Sequence, residues 1–199
     1  MEIEYTHVTA GNFGDDMNSW FWEKLSPGGW GANSKHTLLG IGSLLGLDRD
    51  SSRHWHVLGS GAGYQYPTNL SEMGHWNFLA VRGPLTALAL GLPKEKAVTD
   101  TAILLSSIPE FQVVPENERG GIIFIPHHRA SEYCDWEKIC EAAGIGYIDP
   151  GADSIEVIDS IRRSSLVLSG AMHAAIIADT FRVKWVPITT SSAINHFKW

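Results

Sequence analysis

The sequence predicts an α/β protein made of parallel sheets with helical crossovers, folded as two lobes. Short apolar runs alternate with helical periodicity along the whole chain. Several of those runs are continuously apolar, as strands covered on both faces are. Periodicity breaks down around residues 109–120, where Pro109, Pro115, Asn117 and the Gly120-Gly121 pair interrupt any pattern. That break puts a lobe boundary there, with lobes of residues 1–112 and 113–199.

Strands are expected at Glu2–Val8, His54–Leu58, Asn77–Val81, Gly121–Ile125, Gly146–Ile148, Leu166–Leu168 and Lys184–Ile188. Helices are expected between them. Asp16–Leu25 follows an aspartate able to cap it, and Pro84–Leu90 carries Pro in its first turn and stops at Gly91. Asp135–Ala143 stops at Gly144. Ser154–Arg163 has Ser154 as its cap, with Ile155, Ile158 and Ile161 on one face. Ala171–Phe181 is the most apolar and is expected to be buried. Strands and helices at this spacing imply right-handed crossovers in a parallel sheet.

Composition excludes several function classes. The chain is 44% hydrophobic and 19% charged, with no run near the roughly 20 apolar residues of a membrane helix. Met1-Glu2-Ile3-Glu4-Tyr5 lacks the basic and apolar blocks of a signal peptide, so a cytoplasmic protein is expected. A formal charge of −7 argues against nucleic-acid binding, although local Arg and His residues can still hold a small anion. The two cysteines, Cys134 and Cys140, fit no zinc or redox spacing and read as packing residues. Eight tryptophans are many for this length; they line a sugar cleft or fill a core. No metal site is expected.

The candidate chemistry sits in loops after strands. Gly11-Asn12-Phe13-Gly14-Asp15-Asp16 precedes a helix, and its glycines allow close backbone approach. Asp15 and Asp16 already occupy the helix start as negative caps, so a tight turn competes with a binding loop. Gly40-Ile41-Gly42-Ser43-Leu44 and Leu58-Gly59-Ser60-Gly61 read as turns at the carboxyl edge of a sheet, where open α/β sheets place ligands. Close packing explains these glycines equally well. Arg82, at a strand end in Val81-Arg82-Gly83-Pro84-Leu85-Thr86, suits fork-like binding of carboxylate or phosphate, with an ion pair as the alternative. Asp100-Thr101 is a candidate cap for Ala102–Leu105.

Ile125-Pro126-His127-His128-Arg129 makes a polar cluster at a strand's end. Adjacent histidines diverge on an extended backbone, which opposes joint chelation and leaves one ring to face a ligand. Ser169-Gly170-Ala171-Met172-His173 runs from strand through turn into helix, placing His173 in a first helical turn. There the helix terminus disfavours the imidazolium and a bound anion favours it. A structural histidine and a catalytic one both fit.

Taken in order, these segments resemble the polysaccharide pyruvyl transferase family. The carrying residues are Gly11–Asp16, Gly40–Leu44, Leu58–Gly61, Val81–Ala87, Asp100–Ala102, Ile125–His128 and Ser169–His173. The resemblance implies two Rossmann-like lobes in a GT-B-like fold with a shortened C-terminal lobe. It implies transfer of the enolpyruvyl unit of phosphoenolpyruvate to a sugar of an exopolysaccharide or cell-surface glycan precursor, forming a pyruvate ketal and releasing phosphate. Phosphoenolpyruvate would be a substrate, with no cofactor. The second lobe would hold this donor and the first would face a lipid-linked or nucleotide-linked oligosaccharide, the lipid giving a route to the inner membrane face.

By the resemblance, His173 is the general acid/base. Arg82 and Arg129, assisted by His127 or His128, would bind the donor's charges, and Ser169, Gly170, Gly11, Asn12, Asp15, Gly59 and Ser60 would complete the binding surface. The sequence departs from the family pattern at Ala171, where many members carry Arg, and at its early stop after Asn195–Trp199. A donor-binding charge is therefore expected to be absent or supplied elsewhere. The same order of elements also fits a GT-B-like glycosyltransferase using a nucleotide sugar, or a non-catalytic glycan-binding module.

Overall fold

The computed structural model describes residues 1–31, 35–46, 49–63, 74–130 and 132–190. The chain forms two compact units. The first takes Met1–Thr6 and Met17–Thr101; the second takes His7–Asp16 and the described residues from Ala102 to Thr190. Each unit is built on a four-stranded sheet in which every pairing is parallel.

In the first unit β1 (Glu2–Ile3), β2 (His36–Leu39), β3 (His54–Leu58) and β4 (Trp76–Ala80) lie side by side in that order. Trp55 and Val57 of β3 and Phe78 of β4 are buried, while His54, Asn77 and Leu79 at alternate positions are exposed. These two strands are thus covered on one face, not two as their apolar runs suggested. The buried face packs with Leu39, Leu44, Leu45, Val81, Ala87 and Leu90. Each fully buried side chain of this size contributes roughly 1.5–3 kcal/mol. Strand β2 went unrecognised because its short run, His36-Thr37-Leu38-Leu39, merges into the glycine loop behind it.

Two expected elements are shorter than the sequence suggested, for one reason. The strand at the N-terminus ends at Ile3, not Val8, because the chain passes to the second unit at His7. It passes back at Met17, which breaks the expected helix Asp16–Leu25 into α1 (Phe13–Asp16), a 3-10 turn (Met17–Ser19) and α2 (Phe21–Leu25). The tryptophans here pack inward: Trp22 is buried, its indole nitrogen donating to Asn18 Oδ1 at 2.9 Å, and Trp55 and Trp76 stack at 5.9 Å. Helix α3 (Pro84–Ala89) starts on its proline, as expected.

The second unit orders its strands β6 (Gly146–Tyr147), β5 (Ile122–Ile125), β7 (Leu166–Ser169) and β8 (Lys184–Pro187). Helix α4 (Trp136–Ala143) is capped by Asp135 and stopped by Gly144 at φ 69°. Helix α5 (Ser154–Arg163) is capped not by Ser154 but by Asp153, whose carboxylate accepts from the amides of Ile155 and Glu156. The buried face of α5 is Val157, Ile158 and Ile161, and Ile155 is exposed instead. Helix α6 (Met172–Thr180) is buried along most of its length, as its composition demands.

Among the described residues no helix is long and apolar enough to cross a membrane. The tail at Asn195–Trp199 lies outside the described residues.

Candidate active site

The second unit gathers six of the twelve candidate residues at the carboxyl ends of adjacent strands β5 and β7. Ile125 pairs in register with Ser169, so the turns that follow both strands emerge together. Gly170 donates its amide to the carbonyl of Ile125 at 2.8 Å. A Cβ on Gly170 would lie 3.0 Å from Pro126 Cα and 3.1 Å from the His127 nitrogen. The turn into α6 is therefore pressed onto the start of the histidine loop, and a side chain at 170 would force them apart. Ser169, fully buried, closes the same turn by donating its hydroxyl to the Ala171 carbonyl at 2.6 Å.

His173 is the second residue of α6 and is buried at 7% exposure. Ala171 is the helix N-cap in extended conformation, and its methyl group cannot cap the terminus. The first-turn amides and the helix dipole thus favour negative charge there.

His127 is buried, and His128 packs on it with ring centroids 4.3 Å apart. The two rings do not diverge as an extended backbone would make them, because the strand ends at Ile125 and His128–Ala130 is a 3-10 turn. The amide of Arg129 donates to His127 Nδ1 at 3.2 Å, which places the neutral ring's proton on Nε2. The Arg129 side chain is exposed. Among the described residues no group of three or more His, Cys, Asp or Glu could hold a metal ion.

The loop Gly11–Asp16 belongs to the same unit. Asn12 donates its amide to Asp16 Oδ2 and its side chain to Asp15 Oδ2, both at 2.8 Å. Asp15 and Asp16 thus fold back on Asn12. Gly11, at φ +81°, meets Gly151 so closely that a Cβ would stand 2.4 Å from the Gly151 carbonyl oxygen. Phe13 donates to the Pro150 carbonyl at 2.9 Å, fastening the loop to the turn before α5. Gly14 then lies against the imidazole of His173: a Cβ there would fall 2.0 Å from Nδ1. The sequence offered Gly14 only as one glycine of a turn, and its partner far along the chain left no local signal.

Arg82, Gly59 and Ser60 lie in the first unit, where they hold three loops together. Arg82 donates from Nε to Asp100 at 2.6 Å and from Nη1 to Ser43 at 2.9 Å. The Asp100 carboxylate holds Arg82 through Oδ2. Ser60 donates to the Gly42 carbonyl at 3.0 Å and accepts from the Leu44 amide at 3.3 Å. Gly59, at φ +79°, sits against Thr101, whose hydroxyl donates to the Leu58 carbonyl. Packing accounts for these glycines. Arg82 Nη2 is buried and takes no hydrogen-bond partner among the described residues.

Residues 27–192, most of both units, match the family described as Polysaccharide pyruvyl transferase. The chain belongs to the polysaccharide pyruvyl transferase family. It is also 38% identical, over 200 aligned residues and the whole of its length, to the succinoglycan biosynthesis protein ExoV of Rhizobium meliloti (strain 1021). The chain spans 63% of the length of that relative. No solved structure matches it. Gly11–Asp16 precedes the segment matched to the family, so His173 lies inside it and Gly14 outside.

Proposed function

We propose that the chain transfers the enolpyruvyl unit of phosphoenolpyruvate to a sugar of an exopolysaccharide or cell-surface glycan precursor, closing a pyruvate ketal and releasing phosphate. The observation that carries this reading is His173 in the first turn of α6, whose N-cap is an alanine, on the carboxyl edge of β5 and β7, in a member of this family. The similarity to ExoV supports an exopolysaccharide precursor as the acceptor. A lipid-linked or nucleotide-linked oligosaccharide fits that role, and a lipid carrier would bring the protein to the inner membrane face.

The chemistry needs a proton on the methylene carbon of the donor. His173, as general acid, gives it; the adjacent carbon becomes oxocarbenium-like and a sugar hydroxyl attacks, losing its proton to the histidine. A second hydroxyl then displaces phosphate, which takes up that hydroxyl's proton as it leaves, and the ring closes. Positioned acid/base groups contribute about 10²–10⁴-fold in such steps. The α6 terminus, His127, His128 and the Ser169-Gly170 turn are the groups proposed to receive the donor's anionic end, with Arg129 adding charge from the surface. With alanine at 171, this reading relies on amides and histidines where many relatives use an arginine. The GT-B-like arrangement is part of the proposal, supported by two separate parallel α/β units.

A thermal-shift titration tests the donor. Phosphoenolpyruvate is expected to stabilise the protein and a nucleoside diphosphate to leave it unchanged. Stabilisation by the nucleoside diphosphate alone would replace this reading with a nucleotide-sugar glycosyltransferase.

A further inference from the structure

We infer that Gly14 is a positioning residue that seats the Nδ1 edge of His173, leaving Nε2 as the nitrogen that exchanges protons with substrate. The second half of this statement rests on the acid/base role proposed above; the first half stands without it.

The geometry is specific to this pair. The three atoms nearest a Cβ built on Gly14 all belong to His173: Nδ1 at 2.0 Å, Cγ at 2.6 Å and Cβ at 2.8 Å. Heavy atoms that close cannot coexist, and the clash reaches back to the root of the side chain. Rotation of the ring alone does not relieve it. Gly14 itself cannot yield easily. Both flanks of its short helix are tied, by Asn12 to Asp15 and Asp16 and by Phe13 to the Pro150 carbonyl. The Gly11–Gly151 contact fixes the loop before it. His173 is held from its own side by α6, and both residues are buried.

An imidazole pressed edge-on against a backbone offers its two nitrogens unequally. Nδ1 faces α1, and Nε2 is the far nitrogen, itself buried, so a substrate has to displace what covers it. The imidazolium would therefore lose its Nε2 proton to the methylene carbon, leaving a neutral ring protonated at Nδ1. The proton of the attacking hydroxyl would return to Nε2 and restore the cation. Held in one orientation, the ring spends no time in unproductive rotamers.

A double-mutant cycle on thermal stability tests the seat without recourse to activity. Gly14→Ala is expected to lower Tm by roughly 5 °C with His173 present, and by less than about 2 °C in the His173→Gly background, where the ring and its Cβ are both gone. Equal depressions in both backgrounds overturn the seat. If Gly14→Ala alone fails to fold, the double variant is expected to fold; its failure overturns the seat as well.

Turnover separates this inference from the role of the histidine. Gly14→Ala should lose kcat toward the level of His173→Ala. If His173→Ala leaves phosphate release unchanged, the acid/base role fails while the stability cycle still reads the seat. In ¹⁵N-histidine-labelled protein, phosphoenolpyruvate should move the His173 Nε2 resonance more than Nδ1. A larger shift at Nδ1, or none at either nitrogen, overturns the assignment.

Discussion

Removing Arg82 should unfold the first unit before it affects any ligand. The guanidinium pairs with Asp100 at 2.6 Å and with Ser43 at 2.9 Å, and the side chains of Arg82 and Asp100 are 11% and 3% exposed. Gly61 has no side chain because the guanidinium lies where its Cβ would be, 2.6 Å from Nη1. Arg82→Met keeps the length of the stem and removes the charge, leaving the Asp100 carboxylate buried without its counter-charge. Breaking a pair this deeply buried costs about 3–5 kcal/mol, whereas removing both charges together costs far less. Arg82→Met/Asp100→Asn should therefore be at least about 2 kcal/mol more stable than Arg82→Met alone. Arg82→Lys should also destabilise, since one ammonium cannot reproduce the fork to Asp100 and Ser43. Five of the eight tryptophans, Trp20, Trp22, Trp30, Trp55 and Trp76, lie in this unit, so urea unfolding followed by tryptophan fluorescence is weighted towards it. Additive single and double variants, or an Arg82→Met protein as stable as the parent, would refute the reasoning.

Two further outcomes follow from local chemistry. Asp153→Ala should cost about 1 kcal/mol by uncapping α5, seen as a lower Tm, while Ser154→Ala should cost less; the reverse order would restore Ser154 as the cap. On the first sheet His36 Nδ1 and His56 Nε2 are 2.9 Å apart, and His54 stacks on His36 at 5.0 Å. Partial burial, then the charges of His36 and His54, hold His56 below the usual histidine range. The folded state thus binds this proton less readily than the unfolded chain. The stability this contributes is complete above the unfolded pKa of about 6.5 and is lost as pH falls below it. Tm measured between pH 7.5 and 5 should drop more steeply for the parent than for His56→Gln, and parallel curves would contradict the assignment.

Much of the fold was legible because its signals are local. His54–Leu58 reads as a strand and is one, and Pro84 and Gly144 punctuate their helices where the sequence put them. The failures share a cause, which is that the chain changes units at His7 and again at Met17. Nothing in the periodicity of Glu2–Val8 or Asp16–Leu25 records that exchange. The cap of α5 was misplaced by one residue because Asp153 and Ser154 are both good caps, and only backbone geometry separates them.

The site divides in the same way. His173 was legible from its strand-turn-helix setting, and the register of β5 with β7 brings His127, Ser169 and Gly170 to the same edge. Arg82 was ambiguous in sequence, and most of its donors turn out to serve Asp100 and Ser43. The contact between Gly14 and His173 was invisible, since it joins two segments with no shared pattern. A glycine whose only purpose is to be absent from an imidazole's path carries no signature of its own.

The central claim is that His173 drives transfer of an enolpyruvyl unit to a sugar. Its most direct test is phosphate released from phosphoenolpyruvate by the purified protein, with and without a lipid-linked exopolysaccharide oligosaccharide, compared with His173→Ala. Acceptor-dependent phosphate release is expected, falling about 10²-fold or more in the variant while it remains folded. Release that persists undiminished in His173→Ala, or no release with any acceptor while the protein is folded, would contradict it.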